Sequence, residues 1–375
     1  MSKTESTTRT DGRGFRSAFL AAFAIPALLA LVAACDQSPI FSKISTETKP
    51  KDPIVQGSPG KIVEFNGKAY IANGRLYAYT PDLSAEGGSW AKAAGPGGFI
   101  ADLAATGTRI FALTVEGTAS TATKIHSSTD GSVWSELVSD TGAYTLFSSL
   151  HVAGNTLFVG AHEANDETSF ALLAYDGTDL NIAKAALGAG GQLVGSAFSG
   201  AEYYLATATQ GVFISADPLA FGAAHGDTTG HTLTGLVAVG AKVVGLGKEE
   251  LLQGNSAGFA AEAFGGIDFT GAVAVREAGA DDLLLVGIDV VGETYSYGYK
   301  EILLSGGAFP ASPTLKNPGS GSPTTVTDGD QYDSSLGTVP VRALHQWSGA
   351  VEVLFASTYG EGLWSYRGGE WNAEE

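Results

Sequence analysis

A glycine turn followed by an apolar strand recurs along this chain of 375 residues, and no other feature restricts its fold as much. The copies are NGKAYIANG at 66–74, TGTRIFALTVEG at 106–117, GNTLFVGAH at 154–162 and SGAEYYLATATQG at 199–211. Three more follow, VGAKVVGLGK at 239–248, AGADDLLLVGID at 278–289 and SGAVEVLFAS at 348–357. Glycine suits the positive φ of tight hairpins, and runs of Val, Ile, Leu, Tyr and Phe suit a buried strand. A second strand follows each copy, such as RLYAYT at 75–80 or FALLAY at 170–175. After most of these comes a short polar strand carrying an aromatic: Trp90, Trp134, Phe221, Phe259, Phe309 or Trp371. An apolar strand such as KIVEF at 61–65 precedes each turn.

The pattern is therefore four strands per unit and seven units. With Gly67, Gly107, Gly154, Gly200, Gly240, Gly279 and Gly349 as markers, the intervals are 40, 47, 46, 40, 39 and 70 residues. Intervals near 40–47 match four-stranded propeller blades. The long last interval implies an insertion, placed at about 309–340, where Pro, Gly, Ser, Thr and Asp dominate. The sequence predicts an all-β body over 54–375, a seven-bladed β-propeller of four-stranded antiparallel blades. A four-stranded sheet has two apolar faces, and stacking around an axis buries both. A pair of β-sandwiches would not require one period through the whole chain.

The N-terminus carries an address. Lys3, Arg9, Arg13 and Arg16 are followed by an uncharged run from Ser17 to Ala34, ending in Leu31-Val32-Ala33-Ala34-Cys35. Basic region, apolar core and small residues are the order of a secretory signal. The Leu-Val-Ala-Ala-Cys end resembles the lipobox of bacterial lipoproteins. That resemblance implies cleavage after residue 34 and acylation of Cys35, the only cysteine. An uncleaved membrane helix is the alternative, opposed by Pro26 inside the run. Residues 35–53 then form a lipidated cysteine and a linker with three Lys, two Thr and three Pro, too polar to fold alone. Two or three acyl chains hold a protein on a membrane where a single chain does not. The expected location is the cell envelope, with the leaflet open.

Charge narrows the partners. The chain has 21 Lys and Arg against 39 Asp and Glu, a formal charge of −18. Without residues 1–34 it has 17 against 37, or −20. That balance argues against nucleic acid, which needs a basic footprint.

Ser128-Thr129-Asp130-Gly131-Ser132-Val133-Trp134 resembles the Asp-box, or BNR repeat, in a shortened form. In that family the motif is the hairpin between the third and fourth strands of a blade, with the Asp bonding turn amides. The resemblance therefore implies a structural role for Ser128, Asp130, Gly131 and Trp134. Asp176-Gly177 occupies the corresponding turn of the next unit without the Trp.

Chemistry is harder to find. A sialidase needs a clamp of three arginines, and the mature chain has only Arg75, Arg109, Arg276, Arg342 and Arg367. His162-Glu163 with Asp166-Glu167, and His225-Gly226-Asp227 near His231, lack the spacing of known metal motifs. Asp328, Asp330 and Asp333 alternate on the inserted loop and suit a hard cation such as calcium; a solvated acidic loop is the plainer reading. No other cofactor is implied. Tyr295, Tyr297 and Tyr299 alternate, so their rings share one face of a strand, either as a contact platform or as cover for an outer groove. No G-x-S-x-G elbow or P-loop is present. The expected function is binding, by a tethered scaffold whose propeller face engages a protein or glycan. The alternatives are an envelope glycosidase or lyase using carboxylates, and a subunit of an outer-membrane assembly complex.

Overall fold

The computed structural model describes residues 54–82, 87–116, 122–137, 141–276, 282–290, 296–316, 336, 339–348, 352–367 and 370–374. Strands dominate, and among the described residues the one helical piece is a 3-10 turn at Gly226–Thr228. No helix among them is long and apolar enough to cross a membrane.

The first sheet runs β1 (Ile62–Phe65), β2 (Lys68–Ala72), β3 (Leu76–Asp82) and β4 (Gly87–Lys92). The second runs β5 (Phe99–Ala105), β6 (Ile110–Glu116), β7 (Ala122–Ser128) and the two-residue β8 (Ser135–Glu136). The third contains β9 (Leu146–Ala153), β10 (Thr156–Glu163), β11 (Asp166–Tyr175) and β12 (Leu180–Leu187). Every pairing is antiparallel between strands adjacent in sequence. The turn from β1 to β2 shows why. Phe65 pairs with Lys68, leaving Asn66 and Gly67 at φ 50° and 70°, the positive angles that a two-residue hairpin requires.

The fourth sheet has three strands, β13 (Leu193–Ser199), β14 (Glu202–Thr207) and β15 (Gly211–Ser215). The expected fourth strand is reduced to a bridge between Phe213 and Ala224. Pro218 lies in the intervening segment and has no N–H to give a ladder. Phe221 still fills its place, 7% exposed, in a cluster with Phe158, Leu205 and Phe213.

The fifth sheet has five strands: β16 (Leu233–Val239), β17 (Lys242–Asn255), β18 (Gly258–Arg276), β19 (Asp282–Val290) and β20 (Ser296–Leu304). The sixth has β21 (Val341–Ser348), β22 (Glu352–Thr358), β23 (Leu363–Arg367) and β24 (Glu370–Ala373). The expectation of seven separate blades is thus corrected to six sheets. The reason lies in β18. One end pairs with β17 and the other with β19, so residues expected to form the fifth and sixth units are hydrogen-bonded into one sheet. β17 is not straight either. A Cβ on Gly245 would sit 3.5 Å from that of Leu252, so the chain doubles back near Glu249, where φ is 56°. Of the expected insertion, Phe309 and Leu315 are buried against this sheet and Lys316 pairs with Glu301. Residues 317–335 lie outside the described residues.

Segments of β1, β5, β9, β13, β16, β18 and β21, with residues just before β1, line a central channel of about 560 Å³. Crowding there explains part of the glycine content. A Cβ on Gly195 would lie 2.5 Å from the Leu236 nitrogen, and one on Gly271 2.3 Å from the Thr234 oxygen. Farther out, large rings fill the space between sheets. Tyr79 lies 5.3 Å from Trp90, 5.2 Å from Trp347 and 5.1 Å from Phe355, ring centre to ring centre. Each such pair adds about 0.5–1.5 kcal/mol beyond the burial of its area.

The first and last sheets are stitched together. Leu363 donates to the carbonyl of Val55 at 3.2 Å and Gly362 to that of Gly57 at 2.9 Å. Val55 is fully buried with Trp347, Phe355 and Leu363. Both ends of the body therefore close the ring.

Candidate functional site

Lys61, Glu64, His151, Arg342 and His345 line the channel, and Asp102 pairs with Lys61 from behind that lining. Asp102 comes from β5, where a bulge between Ile100 and Asp102 shifts the register. Its Oδ1 accepts from the Leu103 N–H at 2.8 Å. Its Oδ2 accepts from the Leu150 N–H at 2.8 Å and from Lys61 Nζ at 3.1 Å. Lys61 Nζ also donates to the carbonyl of Leu150. One carboxylate thus links the first, second and third sheets. Hydrogen bonding within the ion pair compensates the desolvation of both partners.

His151, next on β9, also lines the channel. Enclosure first, and the Lys61 charge second, hold its imidazole well below the ordinary 6.5, against a hydrogen bond with the Leu193 backbone. His151 is therefore neutral at pH 7. Farther along the channel His345 Nε2 and Glu64 Oε1 are 3.0 Å apart, and Arg342 donates to the Ser58 carbonyl at 2.9 Å. Neither Asp102 nor His151 was singled out by sequence reasoning. The available signal was a lone carboxylate in an apolar strand, FIADLAA.

The Asp130 turn joins β7 to β8. Asp130 Oδ1 accepts from the N–H groups of Ser132 at 2.7 Å and Val133 at 2.8 Å, and from Ser128 Oγ at 2.9 Å. These bonds favour the charged form, so the Asp130 carboxyl lies far below the ordinary carboxylate range. Gly131, at φ 77°, passes under Tyr70 of the first sheet. Burial first, and Asp130 second, raise the Tyr70 hydroxyl above its ordinary value. Trp134 Nε1 donates to the Ala94 carbonyl at 3.2 Å. The turn therefore clamps the second sheet to the first. Asp176 builds the next turn in the same way, accepting from Thr178 at 2.8 Å and Asp179 at 2.9 Å.

Tyr299 belongs to the core and not to a contact surface. It is 2% exposed, and its hydroxyl accepts from Trp371 Nε1 at 3.2 Å. Burial raises its pKa. Period-two spacing gives a shared face but not its direction, and at Tyr299 that face turns inward. Tyr295 lies outside the described residues, as does the side chain of Tyr297. Cys35, Asp328, Asp330 and Asp333 also lie outside them.

Among the described residues no group of three or more His, Cys, Asp or Glu is placed to hold a metal ion. The loop carboxylates serve local structure. Glu163 accepts from Ser169 Oγ at 2.9 Å, and Asp166 from the Thr168 N–H at 2.9 Å. His231 Nδ1 is 2.6 Å from Glu250 Oε1.

No protein-family model matches the chain, and no curated protein matches it in sequence. Solved structures do match. The extracellular domain of a one-component system from B. thetaiotaomicron aligns with a TM-score of 0.54 at 13% identity, over 84% of this chain and 39% of that one. YCF48 bound to D1 peptide aligns with a TM-score of 0.50 at 9% identity, over 84% of this chain and 93% of that one. The WD40 β-propeller domain of Doa1 gives 0.50 at 9% identity, over 82% and 92%. At these identities the likeness concerns the fold, and the body of this chain is a β-propeller.

Proposed function

We propose that this chain is a lipid-anchored envelope protein whose propeller is a binding scaffold for a protein partner. The observation that carries the reading is the Asp102 site. Oδ2 of this carboxylate ties Lys61 and Leu150 to the second sheet, and Oδ1 is taken by the N–H of Leu103 on its own strand, so both oxygens are engaged. A general acid or base must have a lone pair or proton to exchange with substrate. Here that capacity is used in the architecture, and the result is a rigid ring. The Leu-Val-Ala-Ala-Cys leader and the polar linker to residue 53 would hold that ring beside a membrane. YCF48, a propeller of similar fold, has been solved with a peptide, and another similar propeller is an extracellular domain. Both uses agree with the reading.

Two measurements test it. Growth with an alkyne-tagged fatty acid should label the wild-type chain and leave Cys35→Ala unlabelled and released from the membrane fraction. Equal labelling or retention of the variant overturns the anchor. Photo-crosslinking groups placed around the propeller rim should give a reproducible protein adduct. Turnover of glycans or esters that a single Asp or Glu change abolishes would overturn the scaffold.

A further inference from the structure

A second concavity lies where the first sheet hands over to the second. It has a volume of about 710 Å³ and sits between the ends of β2 and β4 and the start of β5. Leu76 and Ile100 are buried in its lining, and Pro96 and Phe99 also border it. Two features set it apart from the rest of the surface.

The first is charge. Arg75 and Lys92 both line the groove and both are exposed. Among the described residues neither side chain has a hydrogen bond or ion pair. No Asp or Glu lines it. That is unusual on a chain with 39 acidic against 21 basic residues. Lys61 and Lys124, by contrast, are paired with carboxylates.

The second is a built apolar wall. Phe99 is 59% exposed, and its ring edge rests over Gly74. A Cβ at Gly74 would come within 2.8 Å of that ring, and Gly74 has φ +69°. Glycine at this position is thus what lets the ring lie there. The segment Gly95-Pro96-Gly97-Gly98 also lines the groove; Gly95, Gly97 and Gly98 are exposed, and their N–H groups have no acceptor among the described residues.

We infer that this groove is a docking site for an extended acidic peptide segment of a partner protein, with an apolar side chain set between its carboxylates. The inference rests on the scaffold reading and names the chemistry of the partner. Arg75 can grip a carboxylate through its planar fork, and Lys92 adds a point charge. The glycine N–H groups are donors for main-chain or side-chain oxygens. Phe99 offers a ring face to the apolar side chain. A strand or turn can enter a concave groove, whereas a flat bilayer meets only its rim.

The full chain in neutral detergent should bind a labelled peptide of alternating Glu and Leu, with affinity that falls as salt rises. The same peptide with Lys for Glu should not bind. The double variant Arg75→Glu, Lys92→Glu should weaken binding by about tenfold or more. Phe99→Ser should weaken it with less change in salt dependence. Thermal melts confirm that the variants fold. Failure of the acidic peptide to bind, or equal binding by the double variant, overturns the inference. So does binding of phosphatidylglycerol vesicles through Arg75 and Lys92 without peptide binding. If the double variant keeps the rim crosslink to its cellular partner, the groove is wrong while the scaffold reading stands.

Discussion

Ser357 Oγ donates to the carbonyl oxygen of Gly60 at 2.7 Å, tying the last sheet to the entrance of the first across 297 positions. The bond belongs to a seam with the Val55–Leu363 and Gly57–Gly362 pairs. A ring closed this way shares the fate of its two ends. Val55→Ala should cost about 2 kcal/mol, because a fully buried side chain leaves a cavity among aromatic neighbours. Urea titration measures the loss. Hydrogen exchange should then speed up in β1 and β22 together. Faster exchange in β1 alone would show that the seam does not couple the ends.

His151 makes stability depend on pH in one direction. Its folded pKa is depressed, first by enclosure in the channel and then by Lys61, with Asp102 holding that lysine. Below the ordinary 6.5 the unfolded chain takes up a proton that the folded chain refuses. Stability is therefore full above 6.5 and lost as pH falls through that value toward the folded pKa. One proton sets a limit of about 1.4 kcal/mol per pH unit. His151→Gln should flatten the slope of the urea midpoint between pH 6.5 and 5 relative to wild type. An unchanged slope would remove His151 as its source.

The carboxylates of Asp130 and Asp176 act at lower pH. Backbone hydrogen bonds, the largest cause for each, depress both. Their stabilisation is present above the ordinary carboxylate value of 3.8 and disappears as pH falls through the folded pKa. Asp130→Ala should lower the melting temperature at pH 7 and loosen the contact of Trp134 with Ala94, read as a change in tryptophan fluorescence. The gap in melting temperature between variant and wild type should narrow under strongly acidic conditions. A gap constant with pH would mean that the charge contributes nothing.

Local signals in the sequence carried the local structure. Gly67, Gly154, Gly200 and Gly240 do occupy hairpin turns with positive φ, and Asp130 bonds its turn amides. Strand order within a sheet follows, since neighbours in sequence are neighbours in space. What failed was the boundary between sheets. The units marked by Gly240 and Gly279 were expected to be separate, yet β18 runs from one into the other, through Gly266 at φ 81°. The channel cluster was equally hidden. Lys61, Asp102 and Leu150 meet across three sheets, and no spacing along the chain encodes that meeting. Tyr299 failed for a simpler reason, since alternation does not say which face is buried.

The inner strands leave no room for side chains at two glycines, and that gives a last test. Gly195 on β13 faces the backbone of Leu236 on β16, where a Cβ would lie 2.5 Å from nitrogen. Gly271 has φ +82° and would place a Cβ 2.3 Å from the Thr234 oxygen. Neither obstacle is the tip of a flexible side chain, so backbone must move. Gly195→Ala tests close approach alone and should cost about 1–3 kcal/mol in urea unfolding. Gly271→Ala adds a left-handed backbone conformation and should cost more. Gly142, also at positive φ (62°) but with open space around a Cβ, is the control. Gly142→Ala carries only the conformational penalty, about 1 kcal/mol. If Gly195→Ala proved no more harmful than Gly142→Ala, the fourth and fifth sheets would not meet as closely at the channel as the structure requires.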